Sequence, residues 1–236
     1  MPLTGHLEEL RYRLIVVFVT ISACFIALYP LAENLLIMLK APMSEQLYML
    51  APTEAFIVHL KLALFGALVV SLPMTLYQGW AFVAPGLYAK EKKYVLPFVV
   101  LGTLFFAIGG YFSYKIILPF GLSFLLGYSK ELIQPVISVA NYVTFVTRMI
   151  LVFGAIFELP LIVLFLTKLG LITPTLMRRY RKYAIIGAFI LGAILTPPDV
   201  FTQAMLAGPL IVLYEVSIWV SVFFYKAPAE EPEEEV

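Results

Sequence analysis

Residues Tyr142–Thr167 read YVTFVTRMILVFGAIFELPLIVLFLT, and this stretch decides the class of fold. It carries only two charged side chains, those of Arg148 and Glu158. The hydrocarbon core of a bilayer is about 30 Å thick and needs about 20 apolar residues in one helix to cross it. The stretch is long and apolar enough, so it predicts a transmembrane helix.

The composition extends this interpretation to most of the chain. Hydrophobic residues make up 62% of the 236 residues and charged residues only 13%, whereas a soluble domain carries roughly 25% charged residues. Too few polar side chains are present to cover a surface that faces water. The sequence therefore predicts an all-α integral membrane protein.

Six apolar segments are candidate spans. They are Tyr12–Tyr29, Phe56–Trp80, Tyr94–Leu118, Tyr142–Thr167, Tyr183–Leu195 and Phe201–Tyr225. The fifth would rise only about 20 Å as a helix, so it must either draw the bilayer in or begin in the preceding polar loop. The turn Thr196–Asp199 separates it from the sixth, and we expect the last two helices to be short.

The positions of lysine and arginine predict the orientation. The loops and termini on one side carry Arg11, Arg13, Lys90, Lys92, Lys93, Lys168, Arg178, Arg179, Arg181, Lys182 and Lys226. The other side has only Lys40, Lys61, Lys115 and Lys130. Cytoplasmic loops carry the excess of positive charge, so both termini are predicted to be cytoplasmic.

The connections on the outer side are longer than turns. Residues 30–55 and 119–140 each contain an apolar stretch that is too short to span a bilayer, which predicts interfacial helices. Residues 1–226 are interpreted as a single six-helix membrane domain. Residues 227–236 are rich in glutamate and proline and predict a disordered acidic tail.

Glu158 is the most unusual polar residue, because it lies near the middle of its predicted helix. A charge there costs about 3 kcal/mol or more on insertion scales, and Arg148 is about 15 Å away along the axis. Pro160 removes a backbone donor and should bend the helix there. A carboxyl that faces a hydrated hollow and a carboxylic acid that only contributes to packing both remain open.

The other polar residues of the spans have simpler interpretations. Gln203 and Glu215 in the last span are ambiguous between function and structure. The cations Lys61, Lys115 and Arg148 are expected to snorkel toward the headgroups. The single cysteine, Cys24, excludes an intramolecular disulfide and a cysteine-based metal cage, and no metal site is predicted.

Three carboxylates are predicted on the cytoplasmic side, those of Glu8, Glu9 and Glu91. Carboxylates hold guanidinium groups through paired, charge-assisted hydrogen bonds, which suits an arginine-bearing partner. The alternative is local pairing with Arg11, Arg13 or neighbouring lysines, which is ordinary on a membrane protein surface.

Four motifs in order resemble the TatC family. They are Pro2–Leu14 (PLTGHLEELRYRL), Tyr77–Tyr88 with the following Glu91, Ala155–Pro160 and Thr196–Val200. The first is similar to the His-Leu-x-Glu-Leu-Arg-x-Arg-Leu opening of that family. The chain departs from the family at Gly5, where an acidic residue is usual, and at Lys90, where histidine is common.

The resemblance implies a concave, glove-like bundle that binds the twin-arginine signal peptides of folded proteins. It implies that Glu9 and Glu91 contact the two arginines, with Phe82, Arg11, Leu10 and Glu8 completing the cytoplasmic patch. It further implies roles in translocation or partner docking for Glu158, Gln203, Pro42 and Asp199.

The same resemblance implies export across the bacterial inner membrane, driven by the proton-motive force without a cofactor. The implied partners are TatA-type and TatB-type single-span subunits, the number of kinds being left open, and other copies of the chain. A proton-coupled solute transporter is the alternative that Glu158 suggests. An intramembrane hydrolase is disfavoured because the sequence has no Gly-x-Ser-x-Gly motif, and no enzyme activity is expected.

Overall fold

The computed structural model describes residues 3–43, 45–83, 95–127, 136–195 and 200–225. The chain forms two compact units, residues 1–158 and residues 159–236. Residues 226–236, which include the predicted acidic tail, lie outside the described residues.

The first unit is built from long apolar helices. In chain order they are α1 (Leu3–Leu28), α2 (Ala32–Lys40), α3 (Glu54–Val83), α4 (Val95–Phe112), α5 (Leu118–Gly127) and α6 (Val139–Phe157). A 3₁₀ turn that contains Pro30 joins α1 to α2, and a π-helical turn, Ser113–Ile117, joins α4 to α5. Helix α6 ends at Phe157 and α7 begins at Leu159, next to Pro160, where the sequence predicted a bend.

Five helical stretches are long and apolar enough to cross a membrane. They are Gly5–Lys40, Glu54–Phe82, Val95–Gly127, Val139–Lys168 and Val200–Phe224. Every described side chain of α1 is at least partly exposed, which is tolerable for an apolar helix only when lipid surrounds it. The chain is therefore a multi-pass, all-α membrane protein.

The fifth predicted span is the apolar second half of α8, Pro174–Leu195. Arg178, Arg179, Arg181 and Lys182 occupy its first half, so its composition alone does not identify a span. The helix starts in the polar segment, which is the second of the two alternatives that the sequence left open. Its 22 residues rise about 33 Å. The last helix, α9 (Val200–Phe224), has 25 residues, so the expectation of two short final helices was wrong for α9.

Helices α4 and α6 interlock through glycines. A Cβ atom on Gly109 would lie 2.5 Å from the carbonyl oxygen of Phe153, and one on Gly154 would lie 2.6 Å from the ring of Phe106. Small residues at such crossings allow the two backbones to approach closely, which is how helices gain van der Waals contact in lipid. This crossing fixes where the last turn of α6 lies against α4.

Two short strands join the connections at one end of the first unit, which we call the sheet end. Strand β1 (Leu47–Tyr48) pairs in parallel with β2 (Ile137–Ser138). The hydroxyl of Tyr142 donates to the carbonyl of Leu39 at 2.8 Å. Helices α2 and α5 lie in the connections where interfacial helices were predicted. The strand pairing was not predicted.

The second unit consists of α7 (Leu159–Lys168), α8 and α9. Gly170 has a φ of 73° after α7, a conformation that favours glycine and turns the chain toward α8. Val163, Met177 and Ile218 form a buried apolar cluster. Thr167 donates to Ser221 at 3.0 Å, so α7 and α9 are also joined by a buried hydrogen bond.

Candidate functional site

The first turns of α1 pack against the last turns of α3. The ring of His6 stacks on the ring of Phe82 with 4.3 Å between their centroids. Arg13 donates from Nη1 to Oε1 of Gln78 at 3.1 Å. These two contacts bring the predicted residues Glu9, Leu10 and Phe82 into one region, at the end of the unit opposite the sheet end.

Glu9 has a partner within its own helix. Oε1 of Glu9 accepts hydrogen bonds from Nη2 and Nε of Arg13, at 2.5 and 3.0 Å. This is the local pairing that the sequence left open, and the spacing of four residues is the one at which helical side chains meet. Oε2 of Glu9 has no hydrogen bond of its own among the described residues, so the carboxylate retains acceptor capacity. The neighbouring Glu8 is exposed.

An apolar groove of about 450 Å³ runs along α1 next to this region. It is lined by Leu7, Leu10, Arg11, Leu14, Ile15 and Phe18. Two of these, Leu10 and Arg11, are predicted site residues, and the side chain of Phe18 is 71% exposed. The groove is apolar apart from Arg11, so it suits an apolar segment of a ligand, and Glu9 is not among its lining residues.

Glu158 is buried, with 8% of its surface exposed. Its carboxylate lies over Gly102 of α4, where a Cβ atom would be 3.0 Å from Oε2 and 2.9 Å from Cδ1 of Leu76. Oε1 has no hydrogen-bond partner among the described residues. A buried polar atom without a partner is expensive, so its retention near mid-span calls for an explanation.

Two polar residues of the second unit have local partners. Gln203 of α9 donates to the carbonyl of Phe189 in α8 at 2.9 Å, and its backbone oxygen would lie 3.1 Å from a Cβ on Gly192. Glu215 pairs with Nε of Arg181 at 2.6 Å. Both contacts join α8 to α9, and this is the structural interpretation that the sequence left open.

The remaining predicted residues are dispersed. Pro42 follows α2 in a turn that Met43 closes with a 2.8 Å hydrogen bond to the carbonyl of Lys40. Glu91 and Asp199 lie outside the described residues. Sequence reasoning did not assign His6, Gln78 or Gly102 to the site, because their contacts depend on the register between helices.

Comparison with known proteins identifies the family. Residues 5–209 match the family model described as Sec-independent protein translocase protein (TatC). This match covers both units.

Relatives with the same description are similar over nearly their full lengths. The protein of Desulforapulum autotrophicum is 40% identical over 99% of this chain and 88% of its own. That of Helicobacter pylori strain J99 is 41% identical over 97% and 92%. That of Aquifex aeolicus is 40% identical over 93% and 94%.

Two solved structures point to the same family as the sequence comparisons. A crystal structure described as the twin arginine translocase receptor TatC has a TM-score of 0.85 and 38% identity, and the match covers 93% of this chain and 99% of that one. A second, determined in the detergent DDM, gives the same score and identity. The chain therefore belongs to the TatC family of Sec-independent protein translocase proteins.

Proposed function

We propose that this chain is the signal-reading core subunit of a twin-arginine translocase. In this proposal the region around Glu9 binds the two arginines of an export signal, and the bundle then recruits single-span subunits. The proposal extends the family assignment to specific residues. The single observation that carries it is the half-buried carboxylate of Glu9, which Arg13 orients where the first turns of α1 pack against the last turns of α3.

The contacts of Arg13 support Glu9 as an arginine acceptor. The guanidinium of Arg13 already donates to the Glu9 carboxylate. It also donates to the side chain of Gln78 on α3, which fixes its position. The carboxylate is thus oriented before a ligand arrives, and carboxylate–guanidinium pairs prefer two parallel hydrogen bonds. An incoming arginine would use the second oxygen, Oε2, and Glu91 would supply the second carboxylate of the pair.

The apolar segment of a signal peptide would lie along α1. Export signals place an apolar stretch after their basic end, and the groove begins beside Leu10 and Arg11. Leu14 and Phe18 are exposed one and two turns further along the helix. Arg11 would remain solvated at the entrance, and Glu8 would add negative charge to the same patch.

We assign Glu158 and Gln203 to partner docking and transport. A carboxylate with an unpartnered buried oxygen is a place where a polar group of another chain would gain a hydrogen bond. Pro42 and Asp199 would act in the loops on the opposite side of the membrane. The remaining features of the proposal are the bacterial inner membrane, cytoplasmic termini, the proton-motive force, and one membrane domain over residues 1–226 without enzymatic activity.

The test is a titration of purified protein with a labelled twin-arginine peptide. We expect Glu9→Gln and Glu91→Ala each to weaken binding by at least about 1.5 kcal/mol, the scale of a charge-assisted hydrogen bond. Glu33→Gln is the matched control, because Glu33 is an exposed carboxylate on α2. Unchanged affinity in the first two variants would reject the site.

A second experiment separates the receptor from a proton-coupled transporter. Glu158→Gln should leave peptide affinity unchanged and reduce export of a folded substrate in membrane vesicles. A solute transporter would instead be insensitive to Glu9→Gln. Normal export by Glu158→Gln would make the buried carboxyl a packing residue.

A further inference from the structure

A second cavity of the first unit carries two cations and lies outside the site described above. It has a volume of about 390 Å³ and lies between α3 and α6. Its lining residues are Lys61, Leu64, Phe65, Leu68, Thr144, Thr147, Arg148, Leu151 and Val152. Snorkelling explains why such cations are tolerated, but it does not explain why two of them share one cavity.

The two cations come from different helices and line one cavity. Nζ of Lys61 donates to Oγ1 of Thr144 at 2.7 Å. Arg148 follows Thr144 by one helical turn, which is about 6 Å along α6. Lys61 of α3 and Arg148 of α6 therefore line the same cavity from its two sides.

No carboxylate in the described part of the chain neutralises these charges. Glu54, two turns before Lys61 on the same helix, accepts hydrogen bonds from Leu50 and Ser138 instead. Arg148 is exposed and has neither an ion pair nor a hydrogen bond among the described residues. Two cations in one cavity, without an anionic partner in the described ranges, leave a place for an anion from outside the chain.

The depth of the cavity matches a lipid headgroup. Lys61 lies seven residues after the start of α3, about 10 Å from the sheet end of that helix. The 30 residues of α3 rise about 45 Å and exceed a bilayer core by about 15 Å. Lys61 therefore lies close to the boundary of the hydrocarbon, where phosphate is the abundant anion, and Arg148 lies about 6 Å further along α6 than Thr144.

Apart from the two cations and the two threonines, the lining of the cavity is apolar. Leu64 is 47% exposed, and Leu68, Leu151 and Val152 continue the groove. A site for a soluble anion does not require an apolar groove next to its cations. An acyl chain of a lipid fits such a groove. We propose that this cavity is a binding site for one anionic phospholipid, with its phosphate between Lys61 and Arg148.

The test measures lipid binding by native mass spectrometry of the full chain in detergent. Titration with dioleoylphosphatidylglycerol should give an affinity about 30-fold higher for the wild type than for the double variant K61Q/R148Q, about fivefold per cation. Leu151→Trp fills the groove without removing charge and should also weaken binding. Dioleoylphosphatidylcholine should bind weakly to every variant.

The control double variant K40Q/K115Q removes the same charge from two lysines that do not line the cavity. It should bind phosphatidylglycerol as the wild type does. Equal loss in the control would show general attraction to charge, and unchanged affinity of K61Q/R148Q would reject the site. Displacement of the lipid by millimolar inorganic phosphate would show a simple anion site and overturn the proposal. Loss of a protein partner from K61Q/R148Q with lipid affinity retained would overturn it as well.

Discussion

Replacement of Gly109 by alanine tests the interlocking of α4 and α6. The added methyl group would lie 2.5 Å from the backbone oxygen of Phe153 and 2.8 Å from Cβ of Phe157. An ordinary contact begins near 3.4 Å, so the two backbones must separate by about 0.9 Å. Neither contact atom is the end of a flexible side chain, and the strain cannot be relieved by rotation.

The magnitude follows from two costs and one gain. Overpacking costs about 1–3 kcal/mol, and a gap of 0.5–1 Å forfeits about a quarter to a half of the dispersion energy across the contact. Alanine returns up to about 1 kcal/mol through its higher helix propensity. We expect Gly109→Ala to lower the free energy of unfolding by about 2 kcal/mol.

The assay is equilibrium unfolding in mixed micelles of mild and denaturing detergent, followed by circular dichroism. Gly121→Ala is the matched control, because a Cβ there meets nothing within 4 Å. Gly110→Ala should lie between the two, since its Cβ would be 3.2 Å from a side-chain atom, Cγ2 of Ile150, and not in close contact with backbone. A Gly109→Ala protein as stable as Gly121→Ala would refute the reasoning.

Three further predictions concern contacts between helices. Each is tested by measuring the change in the free energy of unfolding. Tyr142→Phe should cost about 1–2 kcal/mol, because it leaves a buried carbonyl without its 2.8 Å hydrogen bond. Tyr114→Phe removes a hydrogen bond at an exposed site and should cost less. Equal losses in the two variants would contradict this prediction. Gly192→Ala should be about 1 kcal/mol less stable than Gly187→Ala, because only the first meets backbone of α9, and equal stability would count against that packing. Glu215→Gln should cost less than about 1 kcal/mol, because its ion pair is largely exposed, and a larger loss would show that the pair is more shielded than its geometry indicates.

The sequence predicted the helices because the lipid environment imposes a simple rule on them. Apolar length identified the spans, and the missing donor of Pro160 located the end of α6. The start of α8 was left open because its first half is polar. The pairing of β1 with β2 was missed, since strands of two residues have no pattern to detect. The contact of Gly109 with Phe153 depends on the register of two helices, which one sequence does not reveal.

The candidate site was predictable in part for the same reason. The pairing of Glu9 with Arg13 follows from their spacing on one helix and was among the alternatives weighed. The stacking of His6 on Phe82 joins residues far apart in sequence and was not foreseeable. The position of the Glu158 carboxylate over Gly102 likewise depends on tertiary packing. The roles of Glu9, Glu91 and the other site residues remain predictions.

A double-mutant cycle tests the central claim that Glu9 recognises an arginine of the export signal. The cycle combines Glu9→Gln in the protein with replacement of the paired arginines by glutamine in the peptide, and it measures the four affinities. We expect a coupling free energy of at least about 1 kcal/mol, because the loss of either charged partner should make the loss of the other nearly harmless. A coupling of zero would show that the carboxylate serves only its partner Arg13, and it would contradict the account.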